Sequence, residues 1–449
     1  MMNKNRNIVW IVLIIVAVLI GALLVGAALS GVFDSLTVNN ELGIVLTVFL
    51  VAVIVLLGAL LSIVLFSKEK DREEVIFMND PNQSPMASSD EGRFCMLCEI
   101  DEKKEEFKQT DYIGEITLEK ICQDFRNYAA NELKLYYSID DIRKFITGLS
   151  VSKILILQGM SGTGKTSLAH AFGSYIDNPS TIIPVQPMWK ERTDLIGYYN
   201  EFTKRFNETL LLRKMYEANY SENMYITVLD EMNIARVEYY FAEFLSLLEL
   251  PNPDERYLDV VSDRWESDPK ALVDGRIKLP KNMWFIGTAN NDDSTFSISD
   301  KVYDRAMVLD LDKRSEKFFA PKTEKLHITA EKFEELTKMA ICENAISQRN
   351  QKRLASLDEY LKAHFHVTFG NRIMKQIREY IPIYISCGGD ELEALDDILS
   401  KKVIRKLGMQ NPIYLKNSAQ ELINYFDELF GKDKMPLCKE RIQKIERNA

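Results

Sequence analysis

Two long stretches without any charged residue lie near the start of the chain, at residues 8–33 and 43–67. A helix of about 25 residues is about 38 Å long, which exceeds the roughly 30 Å of hydrocarbon in a bilayer. The pattern therefore predicts a hairpin of two membrane-spanning helices within residues 1–67, with some tilt. A cleaved signal peptide followed by a buried helix is the alternative.

Basic residues flank this predicted hairpin on its outside but not in its loop. Lys4 and Arg6 precede the first stretch, three basic residues occur in residues 68–72, and the loop at residues 34–42 has none. Because short loops rich in Lys and Arg stay in the cytoplasm, both termini are predicted to be cytoplasmic. The predicted localisation is the cell membrane, with the lipid bilayer as a partner.

A charged segment follows the second stretch. Residues 68–110 include the run Asp80-Pro81-Asn82-Gln83-Ser84-Pro85, and their composition is typical of a cytoplasmic linker. Within it, Cys95 and Cys98 have the spacing of half a zinc knuckle or of a redox pair, but no second pair of ligands lies nearby. Since apolar residues flank the two cysteines, we interpret them as ordinary buried thiols.

The remainder of the chain alternates short apolar runs with helical patterns. Residues 154–157 and 225–229 are apolar or β-branched and are predicted to be buried parallel strands. Beyond residue 325, apolar residues recur at helical spacing. The pattern therefore predicts an α/β core with a parallel sheet over residues 111–325, followed by an α-helical lid and C-terminal region over residues 326–449.

Composition narrows the class of protein only moderately. Apolar residues make up 46% of the chain and charged residues 27%, which is close to the usual globular balance. A formal net charge of -10 argues against a surface that coats nucleic acid by charge alone, although a local basic groove stays open. Six scattered cysteines are too few for a disulfide framework and suit a reducing compartment.

The first predicted strand leads into a candidate phosphate-binding loop. Residues 159–166 read Gly-Met-Ser-Gly-Thr-Gly-Lys-Thr and match the pattern GxxxxGK[ST] in full, with a predicted helix after them. The glycines allow backbone N–H groups to surround phosphate oxygens at the N-terminus of that helix. Lys165 is predicted to bridge the β- and γ-phosphates, and Thr166 to ligate Mg²⁺. The predicted nucleotide-binding residues here are Gly159, Ser161, Gly162, Thr163, Gly164, Lys165, Thr166 and Ser167.

A second, independent signal follows 65 residues after Lys165, where the apolar strand at residues 225–229 ends in Asp230 and Glu231. Asp230 is predicted to hold the metal through water, and Glu231 to orient and deprotonate the attacking water. An acidic pair after a strand can also be a helix cap, and the phosphate-binding loop favours the catalytic interpretation. The loop recognises phosphates rather than the base, so it does not distinguish ATP from GTP. ATP is predicted, with GTP as the alternative, because most members of the family that the next motifs resemble use ATP.

Further motifs resemble a known family. Residues 283–290 (Met-Trp-Phe-Ile-Gly-Thr-Ala-Asn) resemble the fourth strand and sensor 1 of AAA+ ATPases, and residues 300–305 resemble their arginine-finger segment. Residues 185–199, together with Asp230-Glu231-Met232-Asn233, are similar to the dynein-related branch that contains McrB and MoxR. The resemblance is strong over residues 133–311 and weak over the helical remainder. It implies a nucleoside triphosphatase with a P-loop core and a helical lid.

The resemblance implies roles for three more residues. Asn290 would orient the lytic water near the γ-phosphate, and Arg305 would enter the site of a neighbouring subunit to neutralise charge in the transition state. Arg372 occupies the position of a sensor 2 arginine that contacts nucleotide, although a surface or capping role stays open. The family carries Asn-Arg soon after the acidic pair, whereas here Asn233 and Arg236 are separated, so the role of Arg236 is open.

An arginine supplied across an interface implies a ring, and the resemblance implies a hexamer. Residues 254–281 are expected to form a hairpin insertion with Gly275 at its turn. Three aromatic residues that precede it, Trp189, Tyr198 and Tyr199, either project into the ring pore or a partner groove, or pack in the core.

The resemblance leaves the client of the motor open. One hypothesis is a membrane-anchored McrB-like ATPase that drives a separately encoded effector, such as a McrC-like nuclease that defends against foreign DNA. The alternative is a MoxR-like chaperone that remodels membrane or envelope complexes, and the predicted anchor favours it. Proteolysis in the manner of FtsH is unsupported because the sequence lacks HExxH. A catalytically silent scaffold is disfavoured by the intact motif residues, and direct binding of nucleic acid stays open.

Overall fold

The computed structural model describes residues 92–107, 112–290, 295–313, 315–409 and 412–448. The predicted membrane hairpin and most of the predicted linker lie outside these residues. Within the described part of the chain, every helix is too short or too polar to cross a bilayer.

The strands of the described residues form three sheets. They are β1 (Ile154–Gly159), β2 (Thr181–Pro184), β3 (Gly197–Asn200), β4 (Arg205–Glu208), β5 (Tyr225–Asp230), β6 (Tyr257–Asp259), β7 (Leu272–Val273), β8 (Arg276–Lys278), β9 (Met283–Asn290) and β10 (Met307–Asp310). The largest sheet has five strands in the order β10-β1-β9-β5-β2, and all of its neighbours are parallel. The parallel sheet predicted from the apolar runs is therefore confirmed.

Helices surround this sheet and make up the C-terminal region. They are α1 (Met96–Glu102), α2 (Leu118–Asn131), α3 (Ile139–Val151), α4 (Lys165–Tyr175), α5 (Thr193–Ile196), α6 (Leu210–Ala218), α7 (Val237–Tyr240), α8 (Ala242–Leu247), α9 (Asp300–Tyr303), α10 (Ala330–Glu343), α11 (Gln348–Phe365), α12 (Asn371–Ser386), α13 (Glu391–Lys402), α14 (Pro412–Phe430) and α15 (Pro436–Asn448). Many begin at a hydroxyl side chain that accepts a backbone N–H of the first turn, as an N-cap does. These caps are Thr117, Ser138, Thr209, Thr329 and Ser347.

The central sheet separates two hydrophobic cores. Leu155 and Leu157 of β1 belong to the core that contains α2–α4 and the helices of the C-terminal region, whereas Ile154 and Ile156 belong to the core that contains α6–α8. This division follows from the period of two along a strand, which sends successive side chains to opposite faces. Because both faces are covered, β1 is apolar at every one of these positions, as expected for a parallel strand.

The strand order brings the carboxyl ends of β1, β9 and β5 together. Gly159 at the end of β1 is in register with Asn290 at the end of β9, and β9 also pairs with β5, which ends at Asp230. In an open parallel sheet, ligands bind at the carboxyl edge of the strands. The fold therefore places the predicted phosphate-binding loop, the acidic pair and Asn290 at one edge.

The predicted hairpin insertion is present between α8 and β9. Strands β7 and β8 are antiparallel, and the turn between them consists of Asp274 and Gly275, with φ of 51° and 74°. A Cβ atom at Gly275 would lie 2.2 Å from the carbonyl oxygen of Val261. Glycine is required here because any side chain would collide with that backbone. The expectation that Gly275 occupies the turn is confirmed.

Residues 92–107 differ from the linker predicted over residues 68–110. Leu97 and Ile100 of α1 are buried in the core beside α6, and the carboxylate of Glu208 accepts the backbone N–H groups at the start of α1. The buried apolar residues of this short helix lie three apart among many charged residues. The composition of the segment therefore did not predict a helix. The last part of the predicted linker is therefore folded onto the core.

The two cysteines of this segment also differ from expectation. Cys95 is exposed, whereas Cys98 is partly buried and packs against the core that contains Leu97 and Ile100. Burial raises the pKa of the Cys98 thiol to about 11, with the carboxylates of Asp101 and Glu208 adding to the effect. The interpretation of both residues as buried thiols was wrong for Cys95.

Candidate active site

The loop between β1 and α4 has the backbone of a phosphate cradle. Gly159 and Gly164 have φ of 146° and 92°, conformations that L side chains rarely adopt. A Cβ atom at Gly159 would lie 2.4 Å from the carbonyl oxygen of Leu311. Helix α4 begins at Lys165, so its N-terminal N–H groups and the positive end of its dipole face the loop.

The Lys165 side chain lies over this loop. Its ammonium donates to the carbonyl oxygens of Gly159 at 3.1 Å and Met160 at 2.7 Å, and the residue is only 6% exposed. A bound triphosphate would offer the ammonium a stronger, charged acceptor. Of the other predicted ligands, Ser161, Gly162 and Thr163 lie in the loop and Ser167 lies in the first turn of α4.

The two predicted metal-binding residues touch each other. Thr166 Oγ1 donates to Asp230 Oδ1 at 2.7 Å. Across the described residues there is no cluster of three His, Cys, Asp or Glu side chains that could hold a metal alone. A hydroxyl and a single carboxylate fit Mg²⁺, which keeps several waters and takes further oxygens from substrate phosphates. Thr166 and Asp230 would hold that ion, which neutralises phosphate charge when bound.

Glu231 occupies a strained backbone position at the end of β5. Its φ and ψ are 52° and 46°, in the left-handed region, and its backbone N–H donates to Thr288 Oγ1 at 2.8 Å. Asn290 Nδ2 lies 3.4 Å from Glu231 Oε1. This backbone conformation places the exposed carboxylate of Glu231 at the carboxyl edge of the sheet, beside the amide of Asn290. This pair can orient a water molecule and accept its proton, as hydrolysis requires.

Two further residues position this pair, and the sequence motifs that contain them gave neither one a role. Thr288 Oγ1, besides accepting from Glu231, donates to Asp230 Oδ1 at 2.8 Å. Asn233 Nδ2 donates to Asn290 O at 2.9 Å and to Thr295 Oγ1 at 2.9 Å. The motif Asp-Glu-Met-Asn contains Asn233, but its partners become visible only when β5 and β9 are placed side by side.

The two predicted arginines lie together in a separate group. Arg305 Nη2 is 2.8 Å from Glu249 Oε2, and Arg372 Nη2 pairs with the other oxygen, Glu249 Oε1. Arg305 Nη1 also donates to the carbonyl oxygen of Lys301 at 3.0 Å. The predicted site residues therefore form two groups, one at the phosphate-binding loop and one around Glu249. No feature of the sequence pointed to Glu249.

The C-terminal helices hold the segment that carries Arg305. Lys402 on α13 donates to the carbonyl oxygen of Tyr303 at 2.7 Å and also to that of Ala306. Burial lowers the pKa of Lys402 to about 7, and the carboxylate of Asp304 opposes that lowering. Arg405 pairs with Asp300 at 2.6 Å. Any movement of these helices will therefore move Arg305.

The three aromatic residues that were predicted either to face a pore or partner groove or to pack in the core differ in their burial. Trp189 is partly buried and packs edge-on against Tyr240, with ring centroids 5.6 Å apart. Tyr199 packs against Trp265 at 6.2 Å. Tyr198 is 51% exposed. Packing therefore accounts for Trp189 and Tyr199, and Tyr198 stays available to a partner.

Arg236, whose role the sequence left open, lies near the loop after β9. Its guanidinium is 5.2 Å from the ring centroid of Phe296, a cation–π arrangement. Asn233 Nδ2 also approaches Phe296 O at 3.3 Å. Arg236 therefore contacts the segment that follows Asn290.

Two family models match this chain. Residues 154–306, about a third of the chain, match an AAA domain of the dynein-related subfamily. Residues 321–449 match a domain of unknown function, DUF8727. No curated protein matches the sequence.

Solved structures give a distant similarity. A candidate ATPase of Cytophaga hutchinsonii is 13% identical, with a TM-score of 0.43, over 79% of this chain and 96% of the other. A full-length MCM homolog from Methanopyrus kandleri is 11% identical, with a TM-score of 0.33, over 69% of this chain and 60% of the other. Similarities at these TM-scores are too low to assign a function.

The family match and the motif residues coincide. The matched range begins at the first residue of β1 and ends directly after Arg305, and so it contains the phosphate-binding loop, the acidic pair and Asn290. Residues 154–306 therefore match an AAA domain of the dynein-related subfamily across the whole phosphate-binding site, and the chain is an ATP-hydrolysing enzyme.

Proposed function

We propose that this protein is a membrane-anchored, ring-forming ATPase of the McrB-like branch, which hydrolyses ATP between subunits and drives a separate partner protein. One observation supports the proposed ring. Arg305 pairs with Glu249 and Lys301 O, whereas Lys165, Thr166, Asp230, Glu231 and Asn290 gather around the phosphate-binding loop. Neutralising the negative charge of the transferred phosphoryl group usually requires an arginine of this kind. A neighbouring copy would supply it.

A closed ring follows from a head-to-tail contact in which each copy lends Arg305 to the next. We propose a hexamer, by analogy with the family. Arg305 is suited to this role because its segment is anchored by Lys402 and Arg405, so the guanidinium is fixed relative to the C-terminal helices of its own subunit. Preorganised positive charge stabilises a transition state at little reorganisation cost.

The membrane anchor rests on the uncharged stretches at residues 8–33 and 43–67. The partner rests on the absence of any nuclease or protease motif in the sequence, which leaves the work of the motor to another chain. We propose a separately encoded effector such as a McrC-like nuclease. Remodelling of membrane protein complexes, as by a MoxR-like chaperone, is the second candidate, because a membrane tether holds the motor beside such clients.

Mixing two inactive full-length variants tests the ring. Lys165→Ala removes the phosphate contact of a subunit's own site, and Arg305→Ala removes the contribution to the neighbour. In a mixed ring, an Arg305→Ala subunit can receive Arg305 from a Lys165→Ala neighbour. We therefore expect ATPase activity to reappear on mixing, at about a quarter of the wild-type rate for random assembly, as measured by phosphate release.

The matched control mixes Lys165→Ala with Glu231→Gln, which are both defective in their own site. Neither can be repaired by a neighbour, so this mixture should stay inactive. If the mixture with Arg305→Ala also stays inactive, and wild-type turnover per subunit does not change on dilution, hydrolysis occurs within single subunits and the ring proposal fails.

A further inference from the structure

Glu249 lies where three distant parts of the chain meet. It follows α8, and its backbone N–H donates to the carbonyl oxygen of Ser246 at 3.3 Å, so the helical turn fixes its backbone. Its side chain is 31% exposed and therefore partly screened from water. Arg305 reaches it from the segment after α9, and Arg372 reaches it from the first turn of α12.

Each oxygen of the Glu249 carboxylate takes a different arginine. Oε2 is 2.8 Å from Arg305 Nη2, and Oε1 pairs with Arg372 Nη2. A carboxylate that separates two guanidinium groups cancels the repulsion that would otherwise push them apart. The Arg305 guanidinium also donates to the carbonyl oxygen of Lys301. That oxygen is neutral and cannot provide the negative charge that Glu249 provides.

The surroundings of the two arginines add further positive charge. Lys402, Arg405, Lys406 and Arg372 are close enough for the last three to lower the pKa of Lys402. Asp304 and Asp300 pair with Lys406 and Arg405. Glu249 is therefore the carboxylate that balances Arg305 and Arg372 themselves.

The pair has the donors that a phosphate group requires. Each guanidinium has five N–H donors in a planar fork. The contacts to Glu249 and, for Arg305, to the carbonyl oxygen of Lys301 leave other donors for a second anion. Two such groups that are held by one carboxylate present their remaining donors from fixed positions. This arrangement suits the γ-phosphoryl group of a triphosphate, whose charge spreads over three oxygens in the transition state.

We propose that Glu249 is a positioning residue for ATP hydrolysis, which holds Arg305 and Arg372 as one unit that acts on the triphosphate of the neighbouring subunit. The inference rests on the proposed ring. It assigns Arg372 to the same site as Arg305, because one carboxylate binds both. Glu249 touches neither the triphosphate nor the attacking water and acts through the arginines.

The test uses Glu249→Gln in the full-length protein, which keeps the shape of the side chain and removes its charge. We expect kcat to fall about tenfold, because misplaced catalytic groups lose rate, while KM for ATP stays within about twofold, since the nucleotide's own loop is intact. Glu249→Asp keeps the charge on a shorter side chain and should give an intermediate kcat. If Glu249→Gln does not fold, Glu249→Asp tests the proposal in its place.

Glu243→Gln is the matched control. Glu243 lies on α8, is 35% exposed at its side chain, and pairs with Arg192 at 3.0 Å, so this variant also removes one arginine–glutamate pair. It should keep wild-type kcat. If Glu249→Gln behaves like Glu243→Gln, or if it raises kcat, the positioning role is wrong.

Mixing with Lys165→Ala separates this inference from the ring itself. A Glu249→Gln subunit should recover full turnover in its own site when a Lys165→Ala neighbour supplies intact Glu249, Arg305 and Arg372. If ATPase activity recovers when Lys165→Ala is mixed with Arg305→Ala but not when it is mixed with Glu249→Gln, the proposed role of Glu249 is wrong and the ring proposal stands. Recovery with neither variant would remove the ring, and with it this inference.

Discussion

At the scale of single residues, the Thr288 hydroxyl links the two acidic residues of β5. It accepts the backbone N–H of Glu231 and donates to the Asp230 carboxylate, and the residue is 2% exposed. Glu231 has a positive φ, so its orientation depends on contacts of this kind. A side chain on one strand thereby sets the geometry of a catalytic pair on its neighbour.

Thr288→Val should impair both stability and turnover. Valine has the shape of threonine but leaves the partly buried N–H of Glu231 without this acceptor, which costs about 1 kcal/mol of unfolding free energy. We expect kcat to fall about tenfold because Glu231 and Asp230 lose their common support. Denaturant unfolding and steady-state ATPase assays measure the two effects.

Thr227→Val is the control for this prediction. Thr227 lies on β5, is 1% exposed, and its hydroxyl has no hydrogen-bond partner among the described residues. Replacing an unpartnered buried hydroxyl with a methyl group is neutral or stabilising. Equal losses in both variants would mean that the hydrogen bonds of Thr288 are unimportant.

Local motifs predicted some residues of the site and could not predict others. Lys165, Thr166, Asp230 and Glu231 belong to spacings along the chain that have a direct chemical meaning, and the structure brings them together. Thr288 and Glu249 have no such spacing. Their contacts are with residues far away in sequence, and such contacts arise only from strand register and helix packing.

At the scale of elements, the buried amine of Lys402 connects α13 to the segment that carries Arg305. Lys402 is 1% exposed, and two backbone carbonyl oxygens accept hydrogen bonds from its Nζ. A neutral amine has two N–H groups and can satisfy both acceptors. Burial, aided by Arg405, Lys406 and Arg372 and opposed by Asp304, lowers its pKa from 10.5 to about 7.

This lowered pKa predicts a dependence of stability on pH. Between the folded value of about 7 and the ordinary 10.5, the unfolded chain binds more protons at Lys402 than the folded chain does. The free energy of unfolding should therefore rise as pH rises through this interval. In Lys402→Met the amine is absent, so the rise should be smaller than in the wild type, as measured by denaturant unfolding at several pH values.

Lys375→Met provides the comparison for this measurement. The Lys375 side chain is 76% exposed on α12, so its replacement leaves the buried amine of Lys402 and its contacts in place. The wild type and this variant should share one pH profile. If Lys402→Met also has that profile, its amine is charged in the folded protein and the prediction is wrong.

The elements themselves were predictable to different degrees. The strands that end in Asp230 and Asn290 are continuous apolar runs, which are typical of a sheet that is covered on both faces. Helix α1 was not predicted, since it has seven residues and its two buried positions lie among charges. Short elements of this kind depend on tertiary contacts, here on Glu208 and α6, more than on their own pattern.

At the scale of the whole molecule, the proposed anchor and partner can be tested together. Full-length Glu231→Gln should bind ATP without splitting it and so keep the ring in its nucleotide-bound state. We expect it to stay in membranes that are washed with alkaline carbonate, since two spanning helices resist extraction. After detergent solubilisation, we expect it to capture its partner with ATP but not with ADP, as measured by mass spectrometry.

The identity of the captured protein decides between the two candidate functions. A nuclease would support the McrB-like hypothesis, and membrane protein complexes would support the remodelling hypothesis. Lys165→Ala lacks the contact to the phosphates of ATP and is the control. It should capture neither a nuclease nor membrane protein complexes. Loss of the protein from washed membranes would contradict the anchor, and identical captures with ATP and ADP would contradict a nucleotide-driven partner.

The architecture of the AAA domain was predictable because its strands, loop and acidic pair occur in a recognisable order along the chain. The assembly was not, because an interface between copies depends on surface shape rather than on spacing. Arg305 illustrates the difference. Its position after residues 300–304 suggested a contribution to a neighbour, but its pairing with Glu249 and Arg372 required coordinates.

The Arg93 side chain ties the segment before α1 to two distant parts of the fold. Its guanidinium is 1% exposed and pairs with Asp263 at 2.8 Å and Asp268 at 2.7 Å, and its carbonyl oxygen accepts from Phe206 N. Arg93 therefore fastens the chain to the loop of the hairpin insertion and to β4. The segment before α1, the loop of the hairpin insertion and β4 are therefore held together as one unit.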